Sequence, residues 1–283
     1  MRQTLLSLLL PAAAQASAVW SFQTFRTTSF EPPNLKVTKN GTTSDGYLFF
    51  DQSWQGAHQF APFIMSDDNE LIWEGRNHSV TSGLRPQMLD GEPVLTYWNG
   101  SGLSDPWGWG YGTVVVMDQS YEKIHTVQIN DTSFKSIRNT RNRYGWIDMH
   151  EDKITDRGTM LVTAVNVTRF DLTSVGGPRN GWVADSLFYE IDIKTNEVVF
   201  RWSALDHVDQ IPLKDSLLPL DTWGNNQTYP WGYFHINSID PLDNGAYLVS
   251  SRFYCSVWQI NKDGSVEWTL DVRLTSTIPY APC

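Results

Sequence analysis

Four times along this chain a strand-like run, a turn rich in Asp, Asn or Gly, and a second strand-like run follow one another. GYLFFDQSW leads into FAPFIMSDDNELIWEG. GLRPQMLDGEPVLTYWNG leads into YGTVVVMDQSYEKIHTVQI. WIDMHEDKITDRGTMLVTA leads into SLFYEIDIKTNEVVFRWSA, and YFHINSIDPLDNGAYLVSS into CSVWQINKDGSVEWTL. Turns of this composition between alternating runs are hairpin chemistry. IDIKTNEVVFRW and INKDGSVEW alternate apolar and polar residues, as a half-buried strand does. No stretch sustains a helical period. Each copy has room for about four short strands, the content of one propeller blade. The expected fold is therefore all-β: a β-propeller of four-stranded antiparallel blades, with about four blades in one domain over residues 19–283. The third and fourth copies match best. His150 and His235 open them, and DRG at 156–158 answers DNG at 243–245. The inserts 167–185 and 207–230, rich in Gly, Pro, Asn and Trp, read as loops over one face, where ligands are commonly held.

Composition narrows the function. Net charge is −10, so no basic stripe is available to neutralise nucleic-acid phosphates. The basic cluster at 135–143 reads as a solvated loop. Thirteen Trp and 18% charged residues suit an ordered, β-rich secreted chain. Residues 1–18 read as a signal peptide: Arg2, an apolar run at 5–10, and a small-x-small cleavage site at Ala16-Ser17-Ala18. That run is too short to span a membrane, and nothing later approaches the needed length. Sequons at Asn40, Asn77, Asn99, Asn130, Asn166 and Asn226 point to the same secretory, extracellular route and to glycosylation. Cys255 and Cys283 could pair there, but two cysteines do not define a disulfide framework. The oligomeric state is left open.

The densest chemistry lies in the last hairpin. On an extended strand His235 and Asn237 point to one face, and the returning strand ends in Arg252. An imidazole, a carboxamide and a guanidinium suit a tetrahedral oxyanion. His150 holds the corresponding place one repeat earlier, and equal places in successive blades converge on a central channel. Asp148, two residues ahead, either orients that imidazole or is a solvent-facing turn residue. His58 reads as structural or as lying just outside the site, and His78, His125 and His207 as uninvolved. No H-E-x-x-H, Cys pair, Walker loop, G-x-G-x-x-G or G-x-S-x-G occurs, so neither metal nor cofactor is expected. A second reading is a non-enzymatic secreted propeller that binds a glycan or a protein partner. Trp107, Trp109, Trp182, Trp223 and Trp231 would then offer stacking surfaces for a sugar.

DMHEDKITDRGTMLVTA, SLFYEIDIKTNEVVFRWSA and the H-x-N … S-S-R hairpin from His235 to Arg252 resemble the arylsulfotransferase family, in its fungal-type form. The resemblance covers roughly 46–270. It implies a six-bladed propeller with the active site at the central channel. It also implies PAPS-independent transfer of a sulfuryl group from a phenolic sulfate ester to a phenol, by a ping-pong route through a sulfated histidine. Carried over, His150, His235 and Arg252 are catalytic and Asn237 binds substrate; together they bind the sulfuryl oxygens. The family's nucleophilic histidine lies in a later Q-H-D motif, which this sequence does not contain. The sequence-based expectation is thus a C-terminally truncated member with slow or absent turnover.

Overall fold

A computed structural model describes residues 36–52, 60–75, 80–103, 108–137 and 145–271, all within one compact unit, Pro32–Cys283. The signal segment, His58, Asn77, His78, Trp107, Cys283 and most of the basic cluster lie outside the described residues.

The strands run in hairpin order. β1 (Tyr47–Gln52), β2 (Ala61–Ser66) and β3 (Leu71–Glu74) form a three-stranded sheet. β4 (Val80–Leu89), β5 (Glu92–Leu103), β6 (Trp109–Met117) and β7 (Lys123–Val127) form one run of four. β8 (Ile147–Ile154), β9 (Thr159–Phe170), β10 (Gly181–Asp192) and β11 (Val198–Ser203) form another. These two runs count as one eight-stranded sheet, yet among the described residues they join at one pair, Gly112 with Ile147. β12 (Ile236–Pro241), β13 (Tyr247–Ser251), β14 (Ser256–Ile260) and β15 (Val266–Asp271) complete a four-stranded sheet. Every ladder is antiparallel. Among the described residues there is no α-helix, only three short 3-10 turns, and no helix is long and apolar enough to cross a membrane.

The turns explain the register. At Thr155–Gly158 the Gly158 N–H donates to the Thr155 carbonyl, and Thr155 N–H to the Thr159 carbonyl. Leu242–Ala246 and Asn261–Ser265 repeat this pattern. The fourth residue of each turn has a positive φ, 73° at Gly158, 78° at Gly245 and 87° at Gly264. This is a type I turn followed by a left-handed residue, the usual three-residue hairpin loop, and it selects for Gly.

Packing is between consecutive runs of strands. Ile64, Leu84, Leu95, Tyr97 and Val115 lie between the first two. Trp98, Val114, Ile147, Ala164 and Leu187 join the second to the third. Phe188, Trp202, Ile239, Val249 and Trp258 join the third to the fourth. Trp98 Nε1 donates to the Ile147 carbonyl at 2.9 Å, and Trp202 Nε1 to the Gly264 carbonyl at 3.1 Å. Each indole thus fills the seam and satisfies its one polar atom across it.

One expected loop is shorter than read. The insert 167–185 is strand at both ends, because β9 and β10 stay paired out to Phe170 and Gly181, and only residues 171–180 form the loop. Val167, Val183 and Ala184 are buried there, so apolar residues carry the ladder into the insert as far as Phe170 and Gly181. The insert 207–230 does lack strands, apart from the 3-10 turn at Leu213–Asp215. The chain then returns along β10, where the Trp231 N–H donates to the Trp182 carbonyl at 2.9 Å and the Trp231 carbonyl accepts the Ala184 N–H at 3.0 Å.

Candidate functional site

The first strands of three runs are bulged. Residues 148–151 of β8 stand opposite Thr163 alone. Asn237 of β12 has no opposite residue in β13, and Gly83 and Leu84 of β4 share Tyr97. Bulges re-aim side chains and are common beside active sites.

The β8 bulge presents Asp148 and His150. Asp148 is only 2% exposed. Its Oδ1 accepts the Gly110 N–H at 2.7 Å; its Oδ2 accepts His150 Nδ1–H at 2.5 Å and the Thr163 hydroxyl at 3.2 Å. Of the two roles left open for Asp148, the structure shows the buried partner of His150. His150 Nε2 then meets His235 Nε2 at 3.2 Å. A carboxylate and two imidazoles form one line.

His235 is fully buried but does not lie on a strand. Its φ is +56°, and β12 starts one residue later. The expected same-face pairing with Asn237 is therefore corrected: a left-handed residue breaks the period of two. Nor are the histidines at equivalent positions. Ile147 opposite Ala164 matches Ile236 opposite Ser251; His150 follows the first and His235 precedes the second. The bulge brings them together. The strained backbone is held on both sides. His235 N–H donates to Ser186 Oγ at 3.0 Å, its carbonyl accepts the Arg252 N–H at 2.9 Å, and Ser251 Oγ donates to the Phe234 carbonyl at 2.5 Å. Such strain persists where the surroundings over-determine it. Trp109 stacks on the imidazole with centroids 5.0 Å apart, and Phe253 meets it edge-on at 5.5 Å.

Electrostatics divide the pair. Burial pushes His150 down, but Asp148 overrides it and leaves the imidazole above its ordinary value. Burial, then the charge of His150, push His235 down to about 3, with Asp148 opposing and Arg252 assisting. Burial works against ionisation of Asp148 too, and the His150 contacts outweigh it, so the carboxyl titrates low. One cation and one anion face each other beside a neutral imidazole.

Arg252 is exposed, its guanidinium 5.3 Å from the Phe253 ring. It is near enough to both histidines to disfavour their protonation. Asn237 is exposed at its bulge and hydrogen-bonds to neither histidine. Behind the site, Arg85 bonds Glu151 at 2.5 Å and also Asp152, while Glu151 Oε2 accepts the Ile239 N–H at 3.3 Å. These contacts tie β4, β8 and β12 together.

Sequence reasoning missed Trp109, Phe253, Ser186 and Ser251. Trp109 and Trp231, stacking surfaces only under the glycan-binding alternative, are packed inside at 1% and 2% exposure. One face of Trp182 is covered by Arg169, 3.9 Å from the centroid. The alternating glycines of WGWGYG were a usable signal, because a Cβ at Gly110 or Gly112 would fall within 2.6 Å of Trp98. Asn40, Asn130 and Asn226 are exposed, whereas Asn99 and Asn166 are half-buried in β5 and β9.

The described residues are an all-β frame that sets a buried carboxylate–imidazole–imidazole line beside an arginine. The family model described as Arylsulfotransferase (ASST) matches residues 85–273, and the chain belongs to that family. No curated protein matches. A solved structure, described as a protein of unknown function from Bacteroides caccae, is 13% identical with a TM-score of 0.39; the alignment covers 80% of this chain and 57% of that one. The chain thus spans less than two thirds of that protein's length.

Proposed function

We propose that this chain binds a phenolic sulfate ester and moves its sulfuryl group to a phenol without a nucleotide donor. Family membership supports the substrate class. The observation that carries the reading is the Asp148–His150–His235 line with Arg252 adjoining it. His150, Arg252 and His235 aim N–H donors at the sulfuryl oxygens, where charge builds during transfer. Asn237, at its bulge, adds a donor from the solvent side. The paired strand runs act as blades of a propeller, with the bulged first strands turned to its channel. We further read the protein as secreted, fungal-type, and glycosylated at Asn40, Asn130 and Asn226. For turnover through a sulfated histidine within this chain, His150 is the first candidate.

Binding of 4-nitrophenyl sulfate tests the reading. Hydrogen bonds to charged groups contribute about 1.5–3 kcal/mol, so Arg252→Ala should weaken affinity roughly ten- to a hundredfold. Arg252→Lys should rescue only part, since Lys lacks the planar fork. Unchanged affinity in a folded Arg252→Ala protein would remove the reading.

A further inference from the structure

The hydrogens on the two facing nitrogens can be counted. His150 Nε2 and His235 Nε2 are 3.2 Å apart, and a hydrogen bond between them uses one hydrogen. His150 Nδ1 is committed to Asp148. Either His150 is the imidazolium and donates Nε2–H to a bare His235 Nε2, or His150 is neutral and accepts Nε2–H from His235. Both arrangements place one hydrogen on two Nε2 atoms. An oxyanion seated between the rings needs one from each. The second cannot come by internal exchange, because His235 Nδ1 is buried and has no hydrogen-bond partner among the described residues.

We propose that a sulfate monoester binding between His150 and His235 breaks their mutual hydrogen bond and takes up one proton from solvent. This rests on the sulfuryl-binding reading above. The charges balance in both arrangements: where His150 is already the imidazolium matched by Asp148, the arriving anion holds a second one on His235, and where both rings are neutral the added proton makes His150 the imidazolium, between Asp148 and the anion. The groups facing the pair allow it. His150 is faced by Asp148 and Glu151 from β8 and by Arg252 beyond β13. His235 is faced by the same Asp148 and Arg252. Its other neighbours, Trp109 on β6, Ser186 on β10 and Phe253, are uncharged. The depressed basicity of His235 stems from burial and from His150, and an anion between the rings relieves the second cause.

The test is calorimetry of the intact chain with inorganic sulfate, an unreactive probe, in two non-sulfonate buffers of different ionisation enthalpy. The observed enthalpies should report uptake of about one proton per sulfate, and affinity should fall about tenfold per pH unit on the alkaline side. Ring-nitrogen NMR during the titration should show a hydrogen on Nε2 of both His150 and His235 when sulfate is bound. Binding with a buffer-independent enthalpy and an unprotonated Nε2 on either ring would overturn the coupling and leave the sulfuryl site standing. Failure of both sulfate and 4-nitrophenyl sulfate to bind anywhere between about pH 5 and 8 would overturn both.

Discussion

Replacing Asp148 by Asn separates the charge of this carboxylate from its shape. Asp148 offers one oxygen to the Gly110 N–H and the other to His150 Nδ1–H. Asn has a single carbonyl oxygen. If it keeps Gly110, its NH2 group faces His150 Nδ1, which must then accept; the proton moves to Nε2 and the imidazole stays neutral. If it keeps His150, two N–H groups meet at Gly110. Either way the charge that opposed burial is gone, and His150 should titrate below its ordinary value instead of above it. The wild-type sign follows. His150 has a raised folded-state value, so its contribution to stability is full below the unfolded-state value and fades as pH rises through the folded one. In Asp148→Asn that contribution should vanish. Exchanging a charge-assisted for a neutral hydrogen bond loses about 1–1.5 kcal/mol, so 4-nitrophenyl sulfate affinity at neutral pH should drop about five- to tenfold. Stability should fall by about 1–3 kcal/mol for the donor left unpaired. NMR titration of the His150 ring, with calorimetry of the ester, reads both quantities. A His150 titration unmoved by the substitution would refute the argument.

In Gly232→Ala the added Cβ would lie 2.2 Å from the tip of the Trp109 ring, so the indole that stacks on His235 must shift. Overpacking costs about 1–3 kcal/mol, and thermal unfolding and ester affinity should both fall; loss of stability with full affinity would show that the stack does not position His235. Asp185 is buried against Ser203 and Leu205, and burial raises it to about 7. The unfolded chain ionises first, so stability should decline on the order of 3–4 kcal/mol as pH rises from about 4 to 7. Asp185→Asn should flatten that slope in denaturant titrations, and equal slopes would contradict the raised value.

The turns were the most legible part of the sequence. A left-handed residue at a fixed place selects Gly, which is why DRG, DNG and KDG mark hairpins by residue type alone. The strand content followed, and so did the proximity of His150 to His235 in successive repeats. The bulges were not legible. Residues 148–151 keep the composition of a strand while leaving its register, and alternation alone does not reveal four residues opposite one. The left-handed backbone of His235 was hidden too, because it depends on Ser186, far away in sequence. The place of Trp109 beside His235 was not legible, and the glycines next to it make room for another indole, Trp98. For Asp148 the spacing to His150 was visible, but its burial, which decides its role, is tertiary.

The β8 bulge also separates what must be kept from what can be changed. Ile147 and Asp152 stay in register with β9, while the four residues between them answer to Thr163 alone. A substitution at Met149 or His150 therefore need not propagate through the hairpin as a shift of every following pair. The sheet behaves as a fixed frame and the bulge as an exchangeable insert. Reactive groups can be replaced there one at a time, so new specificities are more accessible on this scaffold than on one whose site residues belong to the ladder itself.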